Sequence, residues 1–128
     1  MTASPARIPP AAARRWIDIC ALDDLPPDAG VAALLDLGER GARQIALFRL
    51  GDGEEVHAVD NLDPCSGANV LGRGILCRIQ GEPAVASPIY KQHFRLRDGR
   101  CLEDDDVVIA VFPARVRDGR VEVGVAEG

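Results

Sequence analysis

The sequence predicts an all-β fold built from antiparallel sheets. Turn-forming residues recur about every eight to twelve residues along the chain, a spacing that is typical of all-β domains. Three glycine-containing turns, at residues 51–53, 98–99 and 118–119, each separate two apolar runs. Because glycine supplies the positive φ that tight hairpins need, each of these turns predicts a pair of antiparallel strands.

The apolar runs between the turns define the individual elements. The predicted strands cover residues 16–20, 31–37, 43–50, 54–59, 75–79, 94–97, 100–102, 107–112 and 114–125, the last interrupted by the turn at 118–119. Residues 22–30 predict a loop, because Asp and Pro interrupt any regular element there. Residues 31–37 are rich in Ala and Leu and could form a short helix, but a glycine-bounded run of this length favours a strand. Residues 80–83 predict a turn, and 84–86 lead into a loop.

Length and composition predict one globular domain. The chain has 128 residues, of which 47% are hydrophobic, so it can bury a core without metals or disulfides. We expect a flexible N-terminal tail over residues 1–15, followed by a single domain over 16–125. The formal net charge of −5 argues against a nucleic-acid partner. No apolar run approaches the roughly 20 residues of a membrane span, and the tail lacks the apolar stretch of a secretory signal, so we expect a cytoplasmic protein.

Cysteine spacing gives no sign of a zinc site. The four cysteines are Cys20, Cys65, Cys77 and Cys101. They contain no Cys-x-x-Cys pair, and zinc sites prefer ligands paired a few residues apart. The one set that could be assembled is His57, Cys65, Cys77 and His93. Its spacing matches no zinc pattern, so we expect no metal ligands and assign Cys20 and Cys77 as small buried residues on strands.

Two loops have the spacing of an iron–sulfur cage without its ligands. They read Asp63-Pro64-Cys65-Ser66-Gly67-Ala68-Asn69-Val70-Leu71 and Ser87-Pro88-Ile89-Tyr90-Lys91-Gln92-His93-Phe94-Arg95-Leu96. This arrangement resembles a Rieske site, in which a Cys-x-His pair and a Cys-x-x-His pair hold the cluster. When the first loop is aligned on Gly67, Asp63 stands at its Cys position and Cys65 at its His position. When the second loop is aligned on Phe94, Ser87 stands at its Cys position and Tyr90 at its His position.

The four donors are poorly suited to a cluster. Serine and tyrosine hydroxyls lose their protons at a much higher pKa than a thiol does, and a single thiolate cannot hold two irons. The resemblance therefore implies a Rieske-like domain that has lost its cluster. Without the metal, the loops need another means of staying together, and we expect apolar packing to supply it. The candidates for this packing are Val70, Leu71, Ile89, Tyr90, Pro64 and Pro88.

A longer run of residues resembles the small subunits of assimilatory NAD(P)H-dependent nitrite reductases. The matching residues are Asp60-Asn61-Leu62-Asp63-Pro64, Ser66-Gly67-Ala68-Asn69-Val70-Leu71 and Ala86-Ser87-Pro88-Ile89-Tyr90-Lys91-Gln92-His93-Phe94, with weaker matches along most of the chain. The resemblance implies a Rieske-like fold with a cluster-type loop subdomain at residues 60–97. It also implies a large-subunit partner that carries FAD, an iron–sulfur cluster and sirohaem and reduces nitrite to ammonium. It assigns no cofactor and no catalytic residue to this chain.

Residues 90–93 are our candidates for contacting that partner: Tyr90, Lys91, Gln92 and His93. Loops on rigid scaffolds often carry function, and tyrosine is a common interface anchor. Two structural alternatives remain open, namely that Tyr90 packs between the loops and that the polar residues are only solvated. Two functional alternatives also remain open, namely an electron carrier that binds a cluster through unusual ligands, and a free-standing binding module for another oxidoreductase.

Overall fold

A computed structural model of the protein describes residues 15–125. The strands are β1 (Arg15–Ala21), β2 (Ala29–Asp36), β3 (Ala42–Leu50), β4 (Glu55–Asp60), β5 (Leu62–Asp63), β6 (Ala68–Asn69), β7 (Ile75–Ile79), β8 (Glu82–Ala86), β9 (His93–Arg95), β10 (Val111–Phe112), β11 (Ala114–Arg117) and β12 (Arg120–Val125). Apart from Arg15, the predicted N-terminal tail lies outside the described residues. Within residues 15–125, no helix is long and apolar enough to cross a membrane.

The described strands form one four-stranded sheet, two three-stranded sheets and one two-stranded sheet. Their strand orders are β10-β4-β3-β2, β1-β12-β11, β7-β8-β9 and β5-β6, and the last two sheets adjoin the loops. The paired strands in all four sheets are antiparallel. The predicted all-β class is therefore confirmed, and of the predicted strand 31–37, residues 31–36 lie in β2 and form no helix.

The four-stranded sheet lies between two hydrophobic cores, and β3 contributes to both. Ile45 and Leu47 pack into one core with residues of β12, whereas Ala46 and Phe48 pack into the other with residues of β8 and β9. All four of these side chains are fully buried. A strand that is covered on both faces needs an unbroken apolar run instead of an alternating one, which explains the sequence of residues 45–48.

The hairpin that leads to the second loop is longer than the sequence predicted. Its turn consists of Gln80 and Gly81, which adopt φ values of 53° and 81°, as a two-residue hairpin turn requires. Strand β8 then begins at Glu82 and includes Pro83, although residues 80–83 were expected to form a turn. Pro83 is opposite Arg78 in β7, and on its other side β8 pairs with β9 only from Ala84 onward. The ladder between β8 and β9 therefore does not use the N–H that proline lacks.

Two of the cysteines are less buried than predicted. Cys20 and Cys77 are half-buried, because each lies on a strand at the edge of its sheet. The buried cysteine is Cys101, which is 1% exposed and belongs to the core beneath the loops. Cys101 pairs with Phe94 through an isolated bridge, so the predicted strand over residues 100–102 is reduced to a short contact.

Candidate functional site

The first loop follows β4 and is organised by the buried residue Asp63. Asp63 Oδ1 accepts a hydrogen bond of 2.8 Å from the backbone N–H of Cys65. Its carbonyl oxygen accepts a second one, also of 2.8 Å, from the N–H of Gly67. Gly67 adopts a φ of 78°, a left-handed conformation that glycine reaches without steric penalty. The turn therefore explains why the loop keeps a glycine at this position.

Asn61 attaches the first loop to the four-stranded sheet. It is 2% exposed, and its Nδ2 donates to Gln44 Oε1 at 3.1 Å and to the carbonyl of Asn69 at 3.2 Å. Its Oδ1 accepts from the N–H of Gly72 at 2.7 Å. Both ends of this buried amide are thus satisfied, as buried polar groups require. Asn61 had no signal of this role in the sequence, because Asn between a strand and a turn is a common loop residue.

The second loop follows β8 and begins at Ser87, which is also fully buried. Ser87 Oγ accepts a hydrogen bond of 3.3 Å from the N–H of Ile89, and the Ser87 carbonyl accepts one of 3.1 Å from the N–H of Lys91. The N–H of Ser87 donates to the carbonyl of Gln92 at 2.8 Å and closes the loop. Lys91 adopts a φ of 67°, a left-handed conformation that is uncommon for a residue with a side chain.

The two loops are therefore equivalent in their backbone turns. In each, the side chain of the first residue accepts the N–H two positions later, and its carbonyl accepts the N–H four positions later. The residue four positions later is left-handed in both loops, Gly67 in the first and Lys91 in the second. Asp63 and Ser87 begin the two turns, and these are the positions that the Rieske spacing assigns to the Cys ligands.

Asp63 and Ser87 contact each other directly. The Ser87 hydroxyl donates a hydrogen bond of 2.5 Å to Asp63 Oδ2, and both residues are 0% exposed. We had expected apolar packing to hold the loops together. Leu71 is indeed buried, but Ile89 and Tyr90 are 43% and 61% exposed. The prediction is wrong for the second loop, because its large apolar side chains face solvent while a polar pair connects the loops inside.

The residues at the four ligand positions do not fit a [2Fe-2S] cluster. Asp63 and Ser87 present oxygen atoms that are already hydrogen-bonded to each other. Partial desolvation and the neighbouring Asp63 raise the pKa of the Cys65 thiol, which disfavours the thiolate that a cluster requires. Tyr90 is exposed. Within residues 15–125, no three or more His, Cys, Asp or Glu side chains are grouped so as to hold a metal ion.

The two histidines of the possible zinc set lie beside separate glutamates. His57 Nε2 is 3.0 Å from Glu55 Oε2 on β4. His93 Nδ1 is 2.6 Å from Glu103 Oε2, and the backbone N–H of His93 donates to Glu103 Oε1 at 2.8 Å. Burial opposes ionisation of Glu103, but these hydrogen bonds from His93 outweigh it and hold the pKa of Glu103 below its ordinary value. Each histidine thus has a local partner in the described chain.

The four residues predicted to contact a partner divide into the tip of the second loop and its support. Tyr90 and Lys91 are exposed at the tip. Gln92 is half-buried and closes the loop through its carbonyl. His93 begins β9 and is held by Glu103. Tyr90, Lys91 and Gln92 lie in the loop and His93 lies in β9, and only Tyr90 and Lys91 are exposed.

Large apolar side chains are exposed on and beside the two loops. Within residues 15–125 the exposed large apolar residues are Leu62, Ile89, Tyr90 and Leu102 around the loops, and Leu34 and Ile75 on the edge strands β2 and β7. The N–H of Leu102 donates to the carbonyl of His93 at 2.8 Å, which places Leu102 beside the second loop. Of these loop residues, only Tyr90 was predicted to contact a partner. Ile89 was predicted to pack between the loops, and the exposure of Leu62 and Leu102 was not predicted. Loop residues follow no two-residue alternation, so their exposure had no signal in the sequence.

Comparisons with known proteins agree with this geometry. Residues 15–124 match the model of a protein family described as Rieske-like [2Fe-2S] domain. The chain is 45% identical over 109 residues to the nitrite reductase (NADH) small subunit of Escherichia coli (strain K12), a match that covers 85% of this chain and 96% of that subunit. The solution NMR structure of the nitrite reductase [NAD(P)H] small subunit from Erwinia carotovora has a TM-score of 0.74 and 43% identity, covering 88% of this chain and 83% of that one.

A much longer relative contains a similar segment. The chain is 50% identical over 111 residues to the nitrite reductase [NAD(P)H] large subunit of Klebsiella oxytoca. This match covers 87% of the chain, which spans only 11% of the length of that large subunit. A segment resembling this chain therefore occurs both as a separate subunit and within a larger polypeptide.

Proposed function

This chain belongs to the Rieske-like [2Fe-2S] domain family and, within it, to the small subunits of nitrite reductases, and from this membership we propose that it binds the large subunit and carries no cluster of its own. The observation that carries the proposal is the direct hydrogen bond between Asp63 and Ser87. The two positions that would hold iron are joined to each other, while the surface beside them exposes apolar side chains. A domain with this geometry is suited to binding a protein rather than to transferring electrons.

The large-subunit relative supports the choice of partner. In the Klebsiella oxytoca protein, a segment similar to this chain lies in the same polypeptide as the rest of a nitrite reductase large subunit. A covalent connection of this kind keeps the two parts in one assembly at a fixed ratio. We infer that the separate chain binds its large subunit with one copy of each.

The ends of the described domain are compatible both with a separate subunit and with a segment of a longer polypeptide. Arg15 in β1 and Val125 in β12 are register partners, so the two ends of the domain lie side by side. Adjacent ends allow a domain to be inserted into a longer chain without distortion. The sheet that contains them contributes to one hydrophobic core, whereas the loops cover the other. The loops therefore stay available for contacts whether the domain is separate or fused.

The surface that we assign to the large subunit consists of the two loops and Leu102. It combines Leu62, Ile89, Tyr90 and Leu102, which are all exposed. Leu62 lies in the first loop, Ile89 and Tyr90 lie in the second, and the backbone of Leu102 is hydrogen-bonded to His93 at the end of the second. Exposed apolar groups mark interaction sites, and tyrosine is enriched among the residues that dominate binding energy. We call this set the loop face.

The conformation of Lys91 supports the same assignment. A residue with a side chain in the left-handed region costs about 1 kcal/mol, and the equivalent position of the first loop is a glycine. Lys91 Nζ donates to the carbonyl of Pro88 at 3.2 Å, yet the side chain remains exposed. Strained residues that persist on exposed loops often serve a function. We propose that Lys91 places a positive charge beside Tyr90 for the large subunit to contact.

We place the redox groups on the large subunit, where the resemblance assigns FAD, an iron–sulfur cluster and sirohaem, and we place the assembly in the cytoplasm. The poor fit of the ligand positions supports the first statement, and the free thiols of the described residues fit the reducing compartment of the second. The visible spectrum and the iron and sulfide content of freshly purified chain test the absence of a cluster. We expect colourless protein, and stoichiometric iron with acid-labile sulfide would overturn it.

The loop face is tested by measuring affinity for the purified large subunit. Tyr90→Ala and Lys91→Ala remove exposed side chains of the tip, and we expect Tyr90→Ala to weaken binding by roughly tenfold or more. Leu34→Ala is the matched control, because Leu34 is 64% exposed but lies on the edge strand β2. Affinity and nitrite turnover that are unchanged in both tip variants would exclude the loop face as the binding surface.

A further inference from the structure

The hydrogen bond between Asp63 and Ser87 stands where a metal cluster would connect the two loops. In a Rieske site the cluster is bonded to both loops and so holds them together. We propose that the Asp63–Ser87 pair replaces the cluster as the connection between the loops, and that it thereby positions Tyr90 and Lys91 for docking. The positioning of Tyr90 and Lys91 for docking rests on the proposed function, whereas the connection between the loops concerns the isolated chain.

The hydrogen-bonding pattern singles out this pair. Among the described residues, the Ser87–Asp63 bond is the only hydrogen bond that joins residues 61–71 to residues 87–92. The other bonds of each loop are internal or go to neighbouring strands and turns. Removal of either side chain therefore removes the polar connection between the loops altogether.

The pair also couples the two turns to each other. The N–H of Cys65 donates to Asp63 Oδ1, the Ser87 hydroxyl donates to Asp63 Oδ2, and the N–H of Ile89 donates to Ser87 Oγ. These three bonds form one chain that begins in the first turn and ends in the second. Because both side chains are fully buried, removal of one leaves the other a buried polar group without its partner, which is costly. A change in one loop is therefore transmitted to the other.

Amide hydrogen exchange in the isolated full-length chain tests the connection. We expect Ser87→Ala to raise the exchange rates of Cys65 and Gly67 in the opposite loop by roughly tenfold, the effect of losing one buried hydrogen bond. Asp63→Ala should do the same at Ile89 and Lys91, with Asp63→Asn as a milder variant if the alanine variant does not fold. Exchange in β1 and β12 reports global unfolding and should stay unchanged.

A serine of the first loop provides the matched control. Ser66 Oγ accepts a hydrogen bond of 3.2 Å from the N–H of Ala68, but Ser66 has no bond to the second loop. Ser66→Ala should therefore loosen only its own turn and leave exchange at Ile89 unchanged. If Ser87→Ala affects the opposite loop no more than Ser66→Ala affects Ile89, the proposed connection is overturned.

The affinity for the large subunit separates the two halves of the inference. If the pair positions the tip, Asp63→Ala and Ser87→Ala weaken binding although Tyr90 and Lys91 are intact. Faster exchange with unchanged affinity would support the connection and overturn the positioning role. Unchanged exchange would overturn the connection whatever the affinity. Failure of Tyr90→Ala to affect binding would count against the loop face alone, since the exchange measurement needs no partner.

Discussion

The two loops share one backbone turn but differ in where their side chains lie. In the first loop, Asn61 and Leu71 are buried, and the Asn61 side chain connects the loop to β3 and to the turn at residues 71–73. In the second loop, Ile89 and Tyr90 are exposed, and the internal contact is made by Ser87. The first loop thus anchors the site through buried side chains, although it also exposes Leu62, whereas the second loop exposes Ile89 and Tyr90. Equivalent backbone geometry therefore serves two different purposes.

The residue four positions after the start of each turn shows the same difference between the loops. The left-handed conformation there is adopted by Gly67 in the first loop, where no side chain is needed. It is adopted by Lys91 in the second loop, where the side chain is exposed. In this pair of turns, the left-handed position carries a side chain only in the loop that exposes it. The following variants test this contrast, beginning with the largest expected effect.

Loss of the anchor in the first loop should have the largest effect on stability. Asn61→Ala removes three hydrogen bonds and leaves the buried N–H of Gly72 without a partner. We expect the free energy of unfolding to fall by about 2–4 kcal/mol, measured by chemical denaturation. Asn69→Ala is the control, because Asn69 is exposed and its contact to Asn61 uses only the backbone carbonyl. Equal stability of the two variants would show that Asn61 does not support the loop.

Reciprocal changes at the left-handed position should have smaller and opposite effects. Gly67→Lys introduces a side chain at a φ of 78° and should lower the free energy of unfolding by about 1–2 kcal/mol. Lys91→Gly relieves the same strain and should raise the free energy of unfolding by up to about 1 kcal/mol, while weakening affinity for the large subunit. Effects of the same sign at both positions would contradict the equivalence of the two turns.

The support of the second loop by Glu103 should appear as a small dependence of stability on pH. The pKa of Glu103 in the folded protein lies below its ordinary value of 4.5, because hydrogen bonds from His93 outweigh the effect of burial. A lowered pKa contributes stability above the ordinary value, and this contribution is lost as the pH falls through 4.5 toward the folded value. Glu103→Gln should therefore differ from the wild type above pH 4.5 and approach it below. A difference that is constant between about pH 6 and about pH 3, measured by urea denaturation, would exclude this role.

Much of the fold was readable from local patterns. The turns at residues 51–53 and 118–119 and the apolar runs between them predicted antiparallel strands, because hairpin turns and strand pairing involve neighbours in the chain. The start of β8 was predicted wrongly, because residues 80–83 were expected to form a turn. Whether Pro83 fits into a strand depends on where β9 begins to pair with β8. Loop spacing identified the two loops whose first residues, Asp63 and Ser87, the structure brings into contact. The exposure of Ile89 and Leu102 depends on the surrounding packing and had no signal in the sequence.

The sequence by itself determined the all-β class and the two loops. It also determined that neither Cys position of the Rieske pattern holds Cys and neither His position holds His, because spacing and donor chemistry are properties of the chain. Only the tertiary structure decided that Asp63 and Ser87 meet, that Asn61 anchors one loop and that Tyr90 of the other is exposed. Asp63 and Ser87 are 24 residues apart, and their contact requires that two separate hairpins pack on the same sheet. Contacts of this kind depend on how elements are arranged in space, which no local pattern of residues specifies.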